Sequence, residues 1–401
     1  MNGRPVLTSS GGPARTPQRM MIGRRVMLAG LAASALPGMA ASADATALAA
    51  LDAAAQAVPA DGLAMLDDVD AQRLSPARRL DLDSARTGLT IDAALASRPG
   101  DIGLALRRTL GSADPDAAIR RLDAALADLE MRAIRLSNDL GITGASVGAR
   151  FARLFADPAF HYAASEQGRA RAVADMSATL AADRAATSRL IAEVPAFCLD
   201  VSVRALSPAE IASGKQGFRQ PPAPGSKGVY VVDLRDIARR PAWSLPSVVA
   251  HELLPGHMVQ LGIEEVARPH PLRLRYASAF VEGWATYAET LVAYPDPRAM
   301  LGHLHWLIFR AARGRVDLGI HRQGWSLDEA QARLRAWQGE PVYFAAFDTD
   351  LARIAKDPGV RAAEALSWIA LADRAPRAPG ARRSWHRAAL AFGRKRLEQL
   401  P

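Results

Sequence analysis

Only eight histidines occur in the 401-residue chain, and two of them fall in one run, His251-Glu252-Leu253-Leu254-Pro255-Gly256-His257. Two imidazoles with a glutamate beside the first suggest zinc, with Glu252 as general base toward a water that the metal activates. The spacing differs from the ordinary pattern. Histidines four residues apart share a helix face, whereas six apart rotate by roughly 240° on an ideal helix. Pro255 removes a backbone donor and Gly256 relaxes the backbone, so a kink or bulge between the histidines would let them converge. On spacing alone, a metal site and a helix end carrying incidental histidines stand as equal alternatives.

A second run, Phe280-Val281-Glu282-Gly283-Trp284-Ala285-Thr286-Tyr287-Ala288-Glu289, reads as a helix. Glu282 and Glu289 lie two turns apart on one side of it. Either could complete a site of two histidines and one glutamate, leaving a fourth zinc position for water. Alone, Glu282 reads as an exposed helix carboxylate; beside the histidine run, the ligand reading is the better one.

The elements that must hold these residues are mostly helical. Ser244 can cap a helix that starts near Leu245 and carries His251. Before it, Val229–Leu234 is short and β-branched, the best strand in the sequence. Pro195–Gly228, dense in proline and glycine, reads as a loop. Further loops are expected near Pro269–Pro271, Pro295–Pro297 and Pro376–Gly380. Upstream, Asp114 can cap and Pro115 can start a helix running to Leu140, with Ile119, Leu122, Leu126 and Leu129 as its apolar stripe and Gly141 as its stop. A second helix is expected from about Ala164 to Glu193. These upstream helices carry no evident chemistry and read as scaffold or lid.

The two chemical runs, HELLPGHMVQ at 251–260 and FVEGWATYAE at 280–289, resemble the bacterial family called domain of unknown function 885. Its members are regarded as zinc metallopeptidases of the gluzincin type. Lys227–Leu234 and the following Arg240-Pro241-Ala242-Trp243 look like the family's strand and turn before the histidine run. Arg315-Val316-Asp317-Leu318-Gly319-Ile320-His321 with Gly324-Trp325-Ser326 looks like its R-V-D-x-G-x-H…G-W-S block. Trp385-His386, Leu390 and Gly393 echo a weaker C-terminal pattern. The resemblance covers about Lys227 to Leu400; before residue 200 the chain is similar only in being helical.

The resemblance implies one zinc ion per chain, bound by His251, His257 and Glu282, with Glu252 as general base. Arg315 and His321 become candidates for stabilising an oxyanion or holding a substrate carboxylate, with Asp317 as a partner that orients one of them. For His321 a hydrogen-bonded core histidine is an equal alternative. Tyr287 and Tyr343 are further possible donors to an oxyanion. Val229–Leu234 could be an edge strand that pairs with an extended peptide. The implied fold is mainly α: a multi-helix zincin-like metallopeptidase domain with a small edge strand or sheet, preceded by a helical N-terminal region. The sequence departs from the family at Met258, where many members have histidine, and after Pro358-Gly359-Val360. There Ala363 or Glu364 stands near the place of a family tyrosine.

Composition bounds the rest. The chain is 49% hydrophobic and 23% charged, which excludes global disorder, and its 6% aromatic content with abundant alanine favours packed helices. The one cysteine, Cys198, excludes an internal disulfide framework and any CxxC metal or redox site. The net charge of +9 invites an anionic partner, but residues 1–43 contain five arginines and no acidic residue. Arg24-Arg25, the uncharged run Val26–Leu36 and Ala41-Ser42-Ala43 describe an export signal with a twin-arginine flavour. Without it, the charge of residues 44–401 is +4, an ordinary surface that gives nucleic-acid binding little support.

No cysteine follows the apolar run, which argues against a lipid anchor. No segment reads as a permanent membrane span, so no stable membrane anchor is expected. The expected organisation is an export signal over 1–43, a helical scaffold over 44–200 and a catalytic region over 201–401. The expected function is a periplasmic zinc-dependent hydrolase of peptide or peptide-like amides. The rival is a catalytically weak or inactive exported metal-containing binding protein of the same fold.

Overall fold

The computed structural model describes residues 37–342 and 346–401. Most of the expected export signal, residues 1–36, and Tyr343 lie outside the described residues.

The upstream helices form for the reasons their sequences carry. Asp114 accepts from the backbone N–H of Ala117 at 2.7 Å, and the helix Pro115–Asp139 buries Ile119, Leu122, Leu126 and Leu129. Gly141 follows it with φ 72°, a backbone that side chains disfavour. Ser165 caps the next long helix, Glu166–Leu190. A small cluster of Leu51, Leu66, Leu82 and Leu89 closes on Leu272 and Tyr276 from the distant half of the chain. The Tyr276 ring takes the space beside Gly88, where an added Cβ would lie 2.1 Å from it.

The main core runs without interruption from Ile102 to Leu390. Pro115–Asp139 packs along the long helix Pro297–Gln323, whose buried residues extend over most of its length. Pro37–Pro401 is one compact unit, and its core draws on residues from both sides of residue 200. Among the described residues no helix is long and apolar enough to cross a membrane.

The sheet corrects two expectations. Pro195–Gly228 is not all loop: it contains β1, Val201–Ala205, and β2, Phe218–Gln220. The third strand, β3, spans Gly228–Val232 and lies between them, parallel to β1 and antiparallel to β2. The expected edge strand is thus the central one, and Tyr230, Val231 and Val232 are buried accordingly. The edge strand β2 is the one that faces the histidine run, because it presents Arg219 to Glu252.

Candidate metal centre and its cavity

The histidine run is a break between two helices rather than a kink within one. Leu245–Glu252 ends at Glu252, and a new helix, His257–Ala267, begins at His257. Ser244 sits at the N-cap of the first helix but makes no side-chain cap; its hydroxyl donates to the Pro241 carbonyl instead. The chain reverses through Leu253–Gly256, with a cis Leu254–Pro255 bond. Gly256 comes so close to the preceding helix end that an added Cβ would lie 2.0 Å from the His251 carbonyl oxygen. That close approach, which only glycine permits, brings His257 back to His251, and their rings meet edge to face with centroids 4.7 Å apart.

The third member arrives on the helix Ala279–Glu289. Glu282 Oε2 is 3.3 Å from His251 Nε2, and Oε1 is 3.4 Å from His257 Nε2. One ligand atom from each of the three residues lies within 4.8 Å of the others. Ligands about 2.0–2.2 Å from a tetrahedral zinc are about 3.3–3.5 Å apart, so these separations suit the ion. The donor set, two imidazoles and a carboxylate, suits it as well. His257 provides a further test. It is fully buried, and neither of its ring nitrogens makes a hydrogen bond among the described residues. A buried imidazole with two idle nitrogens is costly unless a lone pair is meant for a cation. Burial, and then the nearby Arg219 charge, push its pKa down to about 4, which leaves it neutral and able to ligate.

Glu289, the other glutamate of that helix, lies behind His251 instead of in the triad. Its Oε1 accepts from His251 Nδ1 at 2.9 Å, which fixes the tautomer and leaves Nε2 facing Glu282 and, at 3.2 Å, Arg310 Nη2. Ser247 Oγ donates to Glu289 Oε2 at 2.5 Å, and Arg310 Nη1 pairs with Oε1 at 3.2 Å. Burial opposes ionisation of this carboxyl, but Arg310 and His251 outweigh it and hold the pKa well below the usual range. Dehydration likewise opposes ionisation of Glu282, and His257 and His251 overcome it.

Glu252, the expected base, follows His251 directly and accepts from Arg219 Nη1 at 2.9 Å. Glu252, His251 and Glu282 line a cavity of about 250 Å³, together with Arg310, Arg361 and Glu364. Arg219, Arg310 and Arg361 were invisible to local sequence reasoning, since they come from separate elements. Glu364, which with Ala363 stands near the expected place of a family tyrosine, is paired with Arg361 at 2.7 Å.

The structure does not bring Arg315 or His321 to this cavity. Arg315 Nε donates to Asp123 at 2.6 Å, and its guanidinium lies 4.4 Å over the Trp325 ring. His321 Nε2 donates to the Ile354 carbonyl at 3.0 Å. Asp317 accepts from the backbone N–H groups of Gly359, Arg361 and Ala362, so it caps the helix Val360–Arg374. The whole R-V-D-x-G-x-H block therefore ties helices together. Tyr287 is also engaged elsewhere, its hydroxyl 2.8 Å from His386 Nε2.

Comparison with known proteins places this chain among bacterial relatives. No curated protein matches it. A crystal structure of a protein assigned as a lipoprotein from Colwellia psychrerythraea shares the fold at TM-score 0.65 and 21% identity, covering 88% of this chain and 68% of the other. A protein from Shewanella oneidensis, assigned as a lipoprotein of unknown function, shares it at TM-score 0.59 and 13% identity, over 89% and 72% of the two chains. The family described as "Bacterial protein of unknown function (DUF885)" matches residues 103–400, reaching well before the start that the motifs alone suggested. The chain belongs to the DUF885 family.

Proposed function

We propose that this protein is an exported zinc-dependent hydrolase of peptide or peptide-like amide bonds. The observation that carries the reading is His257, fully buried with both ring nitrogens idle and Nε2 3.4 Å from Glu282. His251, His257 and Glu282 would hold the ion. Zinc bound there supplies Lewis acidity, polarising a carbonyl and acidifying a water.

The remaining steps belong to the chain's own residues. Glu289 holds the Nδ1 proton of His251 and so presents its Nε2 lone pair. Glu252 takes a proton from the attacking water and returns it to the leaving nitrogen. Arg219, 2.9 Å from its carboxylate, fixes where that exchange happens. Export is supported by the arginine-led segment over residues 1–43 and by the fold's likeness to two proteins assigned as lipoproteins.

Metal analysis of purified protein and its His251→Ala variant, each screened on a mixed peptide library, tests the reading. Stoichiometric zinc and peptide cleavage, both lost in the variant, are expected. Wild-type protein that carries no metal after purification in zinc-containing buffer would overturn it. A second reading, a metal-containing binding protein without catalysis, draws on Glu364 and Ala363 standing near the place of the family tyrosine. A zinc-loaded Glu252→Gln variant that behaves as wild type in every assay favours that reading.

A further inference from the structure

The charges around the cavity are paired with one exception. Five arginines line it, Arg219, Arg310, Arg313, Arg353 and Arg361, against four glutamates. Four of the arginines have carboxylate partners. Arg219 pairs with Glu252 at 2.9 Å, Arg310 with Glu289 at 3.2 Å, Arg313 with Asp350 at 2.7 Å and Arg361 with Glu364 at 2.7 Å. The remaining glutamate, Glu282, faces the two histidines. Arg353, on the helix Phe347–Lys356, is left over: among the described residues its side chain has no hydrogen bond, ion pair or ring contact. It is exposed, so it costs little to keep unpaired, and it stands on the wall of the cavity that holds the metal cluster.

With Asp350 counted, five arginines meet five carboxylates, so a divalent cation on His251, His257 and Glu282 would make the cavity net positive. A cavity of that sign, walled by Val248, Trp306 and Phe309, attracts an anionic group and disfavours a cationic one. A guanidinium with free donors matches a carboxylate in both charge and shape. We propose that the substrate is a peptide-like molecule carrying a carboxylate and that Arg353 binds that carboxylate. This rests on the hydrolase reading for the word substrate, while the binding itself rests on the Arg353 guanidinium at the cavity wall. The carboxylate has two natural sources, a free chain end or an acidic side chain.

The test is binding to zinc-loaded Glu252→Gln protein, by calorimetry at low salt. Three probes are compared: N-acetyl-trialanine with a free C-terminal carboxylate, the same peptide amidated, and amidated N-acetyl-Ala-Asp-Ala. At least one carboxylate peptide is expected to bind about tenfold or more tightly than the neutral amide. The Arg353→Gln substitution in that protein should erase the difference while leaving zinc content unchanged. Preference for the first probe assigns the site to a chain end, and preference for the third to an acidic side chain. Equal affinity for all three probes overturns the proposal, as does a preference that survives Arg353→Gln. Zinc content is measured on the same samples. Carboxylate preference without zinc would sink the hydrolase reading and keep this one; zinc without carboxylate preference would do the reverse.

Discussion

The indole Nε1 of Trp284 donates to the carbonyl of Pro255 at 3.1 Å, joining the middle of one chemical motif to the middle of the other. Trp284 is fully buried, and it leaves the helix two residues after Glu282. The bond therefore sets the distance between the reversal that returns His257 and the helix that delivers Glu282. Replacing Trp284 with Phe keeps most of the apolar volume and strands the Pro255 carbonyl, at a cost of about 1–3 kcal/mol. The Trp284→Phe variant is expected to unfold at lower denaturant and to bind zinc more weakly. Wild-type values in both measurements would show that the turn holds its shape without the indole.

Glu289 offers a sharper separation between ligand and support. Glu289→Gln keeps the three ligands but removes the charge that accepts from His251 Nδ1 and balances Arg310. Loss of such a supporting partner lowers metal affinity about 10–100-fold. Titration of the metal-free protein with zinc in a competing chelator reads this directly. An affinity equal to wild type would move Glu289 out of the site and leave it as a buried counter-ion.

The block Arg315–His321 looks catalytic by residue type and is structural by contact. Asp317→Asn weakens acceptance from three backbone N–H groups, and the loss of such a cap costs about 1–2 kcal/mol. His321→Gln loses one bond to Ile354. Both variants are expected to melt earlier, with Asp317→Asn the more affected, and to keep full zinc stoichiometry. Zinc loss in folded His321→Gln protein would return that residue to the site.

How far the sequence could be read follows from where each determinant lies. Pro115–Asp139 was legible because its cap, its proline and its apolar stripe are all local. The candidate metal cluster was legible because its members sit in two short runs. Within the second run, spacing left Glu282 and Glu289 open, since both lie on one side of the helix; the family resemblance chose Glu282, the one that faces both histidines. The break at Leu253–Gly256 depends on the approach of Gly256 to the Ala250 and His251 carbonyls. Spacing alone gave only the need for some distortion. β1 and β2 were hidden because they are short and flanked by proline and glycine; their strand character comes from pairing with β3. The cavity arginines come from β2, the long helix, Phe347–Lys356 and Val360–Arg374, so no local pattern could gather them.

Asp183 carries a pH prediction independent of the metal. It lies on Glu166–Leu190, 4% exposed, and its Oδ2 has no hydrogen-bond partner among the described residues. Burial pushes its pKa up to about 7. A carboxyl whose folded pKa is raised holds its proton more tightly when folded than when unfolded. Its contribution to stability is therefore fully present below the unfolded pKa of about 3.9, declines as pH rises and is gone above about 7. Asp183→Asn removes that ionisation and keeps the shape. Relative to wild type, the variant should gain stability between pH 5 and pH 8, by about 1–3 kcal/mol, the usual cost of burying an unmet polar group. Thermal melts of both proteins at the two pH values measure the gain. A melting difference that stays constant from pH 5 to pH 8 would mean that Asp183 finds a partner for its charge, and the burial argument would fail.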